Sequence, residues 1–159
     1  MKRLALALAL ATAASGCAVN GLAFRNDDRV DIVAPKDRAE VTLPVTIRWT
    51  ADDLDDAGGG PFFAVFVDRE PIKPGQSLRA IADDSCNRTA GCPDLAYFED
   101  RYVFVTDENA VTLDALPRKG SSSRESAQDR HEATVILVDA EGRRIGEAAY
   151  TVEFTLEDR

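Results

Sequence analysis

Val41-Thr-Leu-Pro-Val-Thr-Ile-Arg-Trp-Thr50 is the stretch on which the fold class turns. Val41, Leu43, Val45, Ile47 and Trp49 share one parity, and Thr42, Pro44, Thr46, Arg48 and Thr50 share the other. Successive side chains of a strand point to opposite faces, so this alternation predicts a strand with one buried face. A helix would scatter the same five apolar residues around its circumference. Pro44 has no amide hydrogen to give a ladder, so pairing is expected to break there or to run along a sheet edge. Trp49 is expected in a core between sheets rather than at a binding surface.

Working outward, Val30 to Val33 reads as a first strand, and Pro35 to Ala39 as the turn after it. Phe62 to Val67 is a continuous apolar run, which suits a strand covered on both faces. Tyr102 to Val105 and Val111 to Leu113 are shorter strand candidates. Ala133 to Val138, the turn Asp139-Ala-Glu-Gly142 and a return over Ile145 to Leu156 read as a terminal hairpin. Lys119 to Arg130 is rich in serine and charge and is expected to be a mobile loop. About seven strands with few helical patterns predict an all-β sandwich in one domain, residues 30–159.

The insertion, residues 70–101, interrupts that pattern. Ser77 is placed to cap a short helix carrying Leu78 and Ile81, and Pro93-Asp94 to open a second carrying Leu95 and Phe98. Between them lies DDSCNRTAGCPD, residues 83–94, with Cys86 and Cys92. A long connection with structure of its own is often functional, so this insertion is the candidate contact region, with Tyr97 and Arg101 as candidate contact residues. Phe98 is expected to be core.

The N-terminus differs from the rest. Lys2 and Arg3, an apolar run from Leu4 to Ala11, and the small residues Ala13 to Gly16 have the order of a secretory signal peptide, residues 1–16. The apolar run is short for a bilayer span. Ala14-Ser-Gly-Cys17 resembles the lipobox of bacterial lipoproteins, although Ala14 stands where leucine is commoner. The resemblance implies cleavage before Cys17 and acylation of its thiol, with residues 17–29 forming the lipidated cysteine and a tether. Each buried methylene contributes about 0.8 kcal/mol, so two or three acyl chains hold a protein firmly on a membrane. With Ala18 rather than an aspartate after the cysteine, the resemblance allows onward sorting to an outer membrane in a Gram-negative host. If Cys17 carries lipid, Cys86 and Cys92 remain as an even pair in an oxidising compartment, and a disulfide is their simplest fate. A redox pair would want the shorter C-x-x-C spacing, and a structural zinc site more ligands than the single His131 supplies.

A second resemblance covers residues 30–50 and 131–156. Ile32-Val-Ala-Pro35, the alternating strand ending at Trp49, and His131-Glu-Ala-Thr-Val-Ile-Leu-Val-Asp-Ala-Glu-Gly142 look like a bacterial Ig-like or fibronectin-III-like domain. The resemblance implies fold more than function.

Charge and chemistry narrow the function. Removing residues 1–16 takes away Lys2 and Arg3 and no acid, so the formal charge moves from −9 to −11. Such a domain repels nucleic-acid phosphates and anionic headgroups alike, so no nucleic-acid partner is expected and the lipid must do the anchoring. Asp52, Asp53, Asp55 and Asp56 beside Gly58 to Gly60 are a weak calcium candidate, because the alternating acids of an EF-hand are absent. No G-x-S-x-G elbow is present, Ser121 to Ser123 sit in the loop expected to move, and His131 is expected to be structural. Asn87-Arg-Thr89 matches a glycosylation sequon, which a lipobox-type leader makes coincidental. The expectation is therefore not an enzyme and no cofactor. It is a lipid-anchored interaction or envelope-structural module touching an envelope protein or polysaccharide. The alternative is a small-ligand or ion-binding accessory lipoprotein of a transporter or enzyme complex.

Overall fold

The fold was taken from a computed structural model, which describes residues 29–52, 54, 62–117 and 130–157. The leader, Cys17, the tether before Arg29, Asp53, Asp55, Asp56 and residues 118–129 lie outside the described residues. Among the described residues there are eight strands: β1 Val30–Ala34, β2 Ala39–Val41, β3 Val45–Ala51, β4 Phe62–Val67, β5 Val103–Thr106, β6 Ala110–Leu113, β7 Arg130–Val138 and β8 Tyr150–Leu156. They form two sheets, ordered β1-β3-β6 and β2-β8-β7-β4-β5. Every pairing is antiparallel except that of β2 with β8.

The count exceeds the expected seven because the alternating segment divides at Pro44. Val41 ends β2, and β3 starts only at Val45. The chain pairs with β3 through β1, turns at Lys36 to Arg38, and crosses to the other sheet, where Ala39 to Val41 lie beside Phe154 to Leu156. A proline without an N–H then releases the chain from β8 before it re-enters the first sheet as β3. The terminal hairpin is also shorter than expected. β8 begins at Tyr150, and residues 145–149 serve as a connection rather than as ladder.

The sheets face each other across one core. Val45, Ile47 and Trp49 of β3 meet Phe63, Val65 and Val67 of β4, with Val135 and Leu137 of β7 and Val152 and Phe154 of β8. Trp49 is 1% exposed and packs edge-on against Phe63 at 5.1 Å between ring centroids. Its indole N–H has no partner among the described residues.

A second core lies on the outer face of the larger sheet. Ala64 and Phe66 of β4, Val103 of β5, and Ile136 and Val138 of β7 are buried there beneath Ile72, Leu78 and Phe98 from the insertion. This is the physical meaning of the unbroken apolar run at Phe62 to Val67. Both parities of β4 are buried because the sheet is covered on both sides. The molecule therefore has three layers where two were expected.

Candidate contact surface

The third layer is a cap built from residues 70–101. It opens with a one-turn 3-10 helix, Leu78–Ile81, whose first turn is closed by the Ser77 hydroxyl accepting from Arg79 N–H. Helix α1, Asp84–Asn87, was not anticipated. Its N-cap is Asp83, whose carboxylate accepts from Cys86 N–H at 2.8 Å. Helix α2, Leu95–Glu99, is capped in the same way by Asp94, which accepts from Tyr97 N–H at 2.8 Å. Each Asp satisfies an amide that a helix start leaves without an internal partner. The Cys86–Cys92 disulfide closes the turn between the two helices, with Cα atoms 5.2 Å apart. By loop entropy a ring this small is worth about 2.4 kcal/mol.

One buried cation fixes the cap to the sandwich. Arg144, 7% exposed, donates from its guanidinium to the carbonyls of Ile72 at 2.6 Å, Glu147 at 2.7 Å and Ala148 at 3.0 Å. Burial pushes its pKa down, and the Glu147 charge pulls the other way. Backbone bonds from Leu78 N–H to Gly142 O and from Arg144 N–H to Gln76 O, with Arg143 donating to Gly75 O at 2.7 Å, complete the seam. Gly142, at φ +71°, is in the left-handed region that side chains rarely adopt, and it lies against Leu78. No pattern in Gly142-Arg-Arg-Ile145 announces this seam, since an arginine beside a turn reads as solvent-facing.

The predicted contact residues Tyr97 and Arg101 are brought together, but toward each other. The Arg101 guanidinium lies 3.5 Å from the Tyr97 ring centroid, donates to Asp83 Oδ2 at 2.9 Å and to Tyr97 O at 3.2 Å. The Tyr97 hydroxyl accepts from Asp83 N–H at 2.9 Å. Arg69 reaches under the group to Arg101 O at 3.1 Å, and its pKa is lowered by burial and by the neighbouring Arg101 charge. The cluster locks the end of α2 to the start of α1. The Asp83 carboxyl is held below its ordinary pKa, chiefly by the Cys86 N–H, with Tyr97 and Arg101 adding to the effect against some desolvation. Phe98 is core, at 7% exposure, whereas Leu95 is 58% exposed.

The outward face of the cap carries an open hollow of about 530 Å³, lined by Arg79, Asn87, Arg88, Thr89, Ala90, Gly91, Cys92 and Pro93. Sequence reading passed over it, because Arg79 and Arg88 are nine positions apart and only the disulfide turn brings them to one rim.

His131 is buried, with its Nδ1 2.5 Å from Asp68 Oδ2 and its ring stacked on Phe154. Asp68 follows β4 at φ +52° and also accepts from Glu132 N–H. At 4% side-chain exposure the imidazole ties the end of β4 to the start of β7 and does not face solvent. Of the calcium candidates, Asp52 is described. It is exposed at the end of β3, and its N–H donates to Arg29 O. Among the described residues no three His, Cys, Asp or Glu side chains gather as metal ligands, and no helix is long and apolar enough to cross a membrane.

Comparison with protein-family models, with curated proteins and with solved structures gives no match.

Proposed function

We propose that the chain is exported, acylated at Cys17 and held on a membrane surface, where it works as a non-catalytic contact module of the cell envelope. The observation that carries this reading is the Cys86–Cys92 bond. The chain has three cysteines, and this bond uses two, which leaves Cys17 at the end of the leader for the lipid. Disulfides persist in oxidising compartments, which agrees with the export signal at residues 1–16. The contact surface is the outer face of the cap, whose shape is fixed by the disulfide and the Asp83–Tyr97–Arg101 cluster, so little entropy is lost on binding.

The sandwich itself we read as Ig-like. If β2 is a continuation of β1 that changes sheets, the first, second and fifth of seven strands form one sheet, and the third, fourth, sixth and seventh form the other. The cap then occupies the segment between the third and fourth strands. In the alternative, an accessory lipoprotein that binds a small ligand, the open hollow beside Arg79 and Arg88 serves as the ligand site.

Mass spectrometry of the mature protein tests the anchor. Cys17 is expected at the N-terminus and acylated, and Cys17→Ser is expected to move the protein from membranes to the soluble fraction with its β-rich circular dichroism unchanged. A mature N-terminus elsewhere, or a Cys17→Ser protein still in the membrane fraction, refutes the proposal.

A further inference from the structure

We infer that the hollow on the cap binds a carboxylate-bearing sugar of an acidic polysaccharide. This deepens the contact-module reading above by naming the ligand of the cap, and it rests on that reading for its setting in the envelope. Two cations converge on the hollow. The side chains of Arg79 and Arg88 are exposed and make no hydrogen bond or ion pair among the described residues, and no carboxylate is among the described residues lining the site. A free guanidinium presents a planar fork of donors that matches a carboxylate. In a chain of formal charge −9, a lining that holds two arginines and no acid is a local exception, although Asp84 and Asp94 lie close by in sequence.

The other lining groups select among anions. Asn87 uses one of its two amide N–H groups on Ala82 O at 3.3 Å, and the Thr89 hydroxyl spends its hydrogen on Ser85 O at 3.0 Å. What these two side chains have left is two acceptor oxygens and one amide N–H, a set that hydroxyl groups complement because they both donate and accept. A ligand that complements the hollow brings an anionic group for the arginines and hydroxyls for Asn87 and Thr89. Inorganic phosphate satisfies the first demand and serves the second poorly. A sugar acid meets both, and its C–H face has the Ala90 methyl and the Pro93 ring to lie on. An acidic peptide is disfavoured by the backbone around the site. Arg88, Thr89 and Cys92 N–H groups are turned inward to Ser85, Cys86 and Thr89 carbonyls, so no extended edge is offered for strand pairing.

The test is titration of the purified protein, by calorimetry and by amide chemical shifts, with oligogalacturonate, its uncharged methyl ester, inorganic phosphate and an oligoglutamate peptide. Oligogalacturonate is expected to shift amides of residues 87–92 and to bind more weakly as salt rises. Arg79→Ala/Arg88→Ala is expected to weaken it about tenfold or more, since hydrogen bonds to charged groups are lost. Arg79→Lys/Arg88→Lys is expected to fall between, and the thermal midpoints of both variants to match that of the unaltered protein. The inference is overturned if the ester binds equally, if the alanine variant binds as before, if phosphate or oligoglutamate binds more tightly than the sugar acid, or if nothing binds at millimolar concentration. Any of these leaves acylation of Cys17 and release of the Cys17→Ser protein unaffected. A chain that binds the sugar acid but carries no lipid would instead refute the anchor alone.

Discussion

Phe66→Ala measures whether the cap is a structural layer or a decoration. Phe66 projects from the outer face of β4 and is 1% exposed, in the cluster with Ile72, Leu78, Phe98, Val103, Ile136 and Val138. Half of that cover comes from the insertion. Truncating a fully buried phenylalanine costs about 3–5 kcal/mol, part lost transfer energy and part the cavity left behind. The same truncation on an open sheet face costs about 0.5 kcal/mol or less. The two cases are thus well separated against a total stability of about 5–15 kcal/mol. With a urea slope of about 2 kcal/mol/M, a 4 kcal/mol loss lowers the unfolding midpoint by about 2 M. Trp49 is a suitable fluorescence reporter, because it sits in the other core, against Phe63, and does not belong to the perturbed cluster. Phe63→Ala, on the opposite face of the same strand, serves as the reference, with a loss of about 3–5 kcal/mol. A Phe66→Ala cost below about 1 kcal/mol, with Phe63→Ala costing its full amount, would refute the three-layer reasoning. Phe98→Ala closes the argument. If Phe98 covers Phe66, the pair is expected to couple by about 0.5–3 kcal/mol in a double-mutant cycle.

Two further outcomes follow from the cap's polar ties. The folded-state pKa of Asp83 is lowered, so its contribution to stability is present above the unfolded value of about 3.9 and is lost as pH falls through the lower folded value. Unfolding midpoints measured between about pH 5 and pH 2 are therefore expected to fall less steeply in Asp83→Asn than in the unaltered protein, and equal slopes would sink this assignment. Near neutral pH the asparagine keeps an N-cap acceptor but loses the ion pair with Arg101, so the variant is expected to be somewhat less stable there and to converge with the unaltered protein as pH falls. Arg144→Met strands the carbonyls of Ile72, Glu147 and Ala148, and is expected to cost about 1–3 kcal/mol while speeding proteolysis within residues 70–78. Arg144→Lys keeps the charge without the fork and is expected to restore little of this. A neutral Arg144→Met effect on both readouts would mean that the seam holds without the cation.

How much of this was legible in the sequence depended on whether a residue's neighbours in the chain were also its neighbours in space. Period two is a local property, so β3, with Ile47 and Trp49 inward and Thr46 and Arg48 outward, could be read directly. The break at Pro44 was legible for the same reason, since the missing N–H belongs to the residue itself. Its consequence, a chain that changes sheets and gains a strand, was not, because it depends on β8 lying more than a hundred residues away. Ser77 and Asp94 as helix caps were also local, each serving an amide two or three residues ahead. The Asp68–His131 pair and the Arg144 bonds to Ile72 have no such trace. Their partners are separated by 63 and 72 positions, and acids and arginines are too common in this chain for any pair to stand out.

The insertion shows the limit most clearly. Its composition, with prolines, glycine and charge, reads as two short helices joined by turns, and as a candidate contact region with Tyr97 and Arg101 near its end. Yet it supplies three large apolar side chains, Ile72, Leu78 and Phe98, spaced too irregularly to reveal a helix or strand period. The signal that they cover a sheet was present elsewhere, in Phe62 to Val67. A strand in a two-layer sandwich needs one polar face, and β4 has none. An apolar run on both parities requires a cover, and the stretch available to provide it was the insertion that follows. Once the cap is a layer, its aromatic and its best-placed arginine are spent on holding it together. The surface proposed for a partner is the turn closed by the disulfide, with Arg79 and Arg88 lining its hollow.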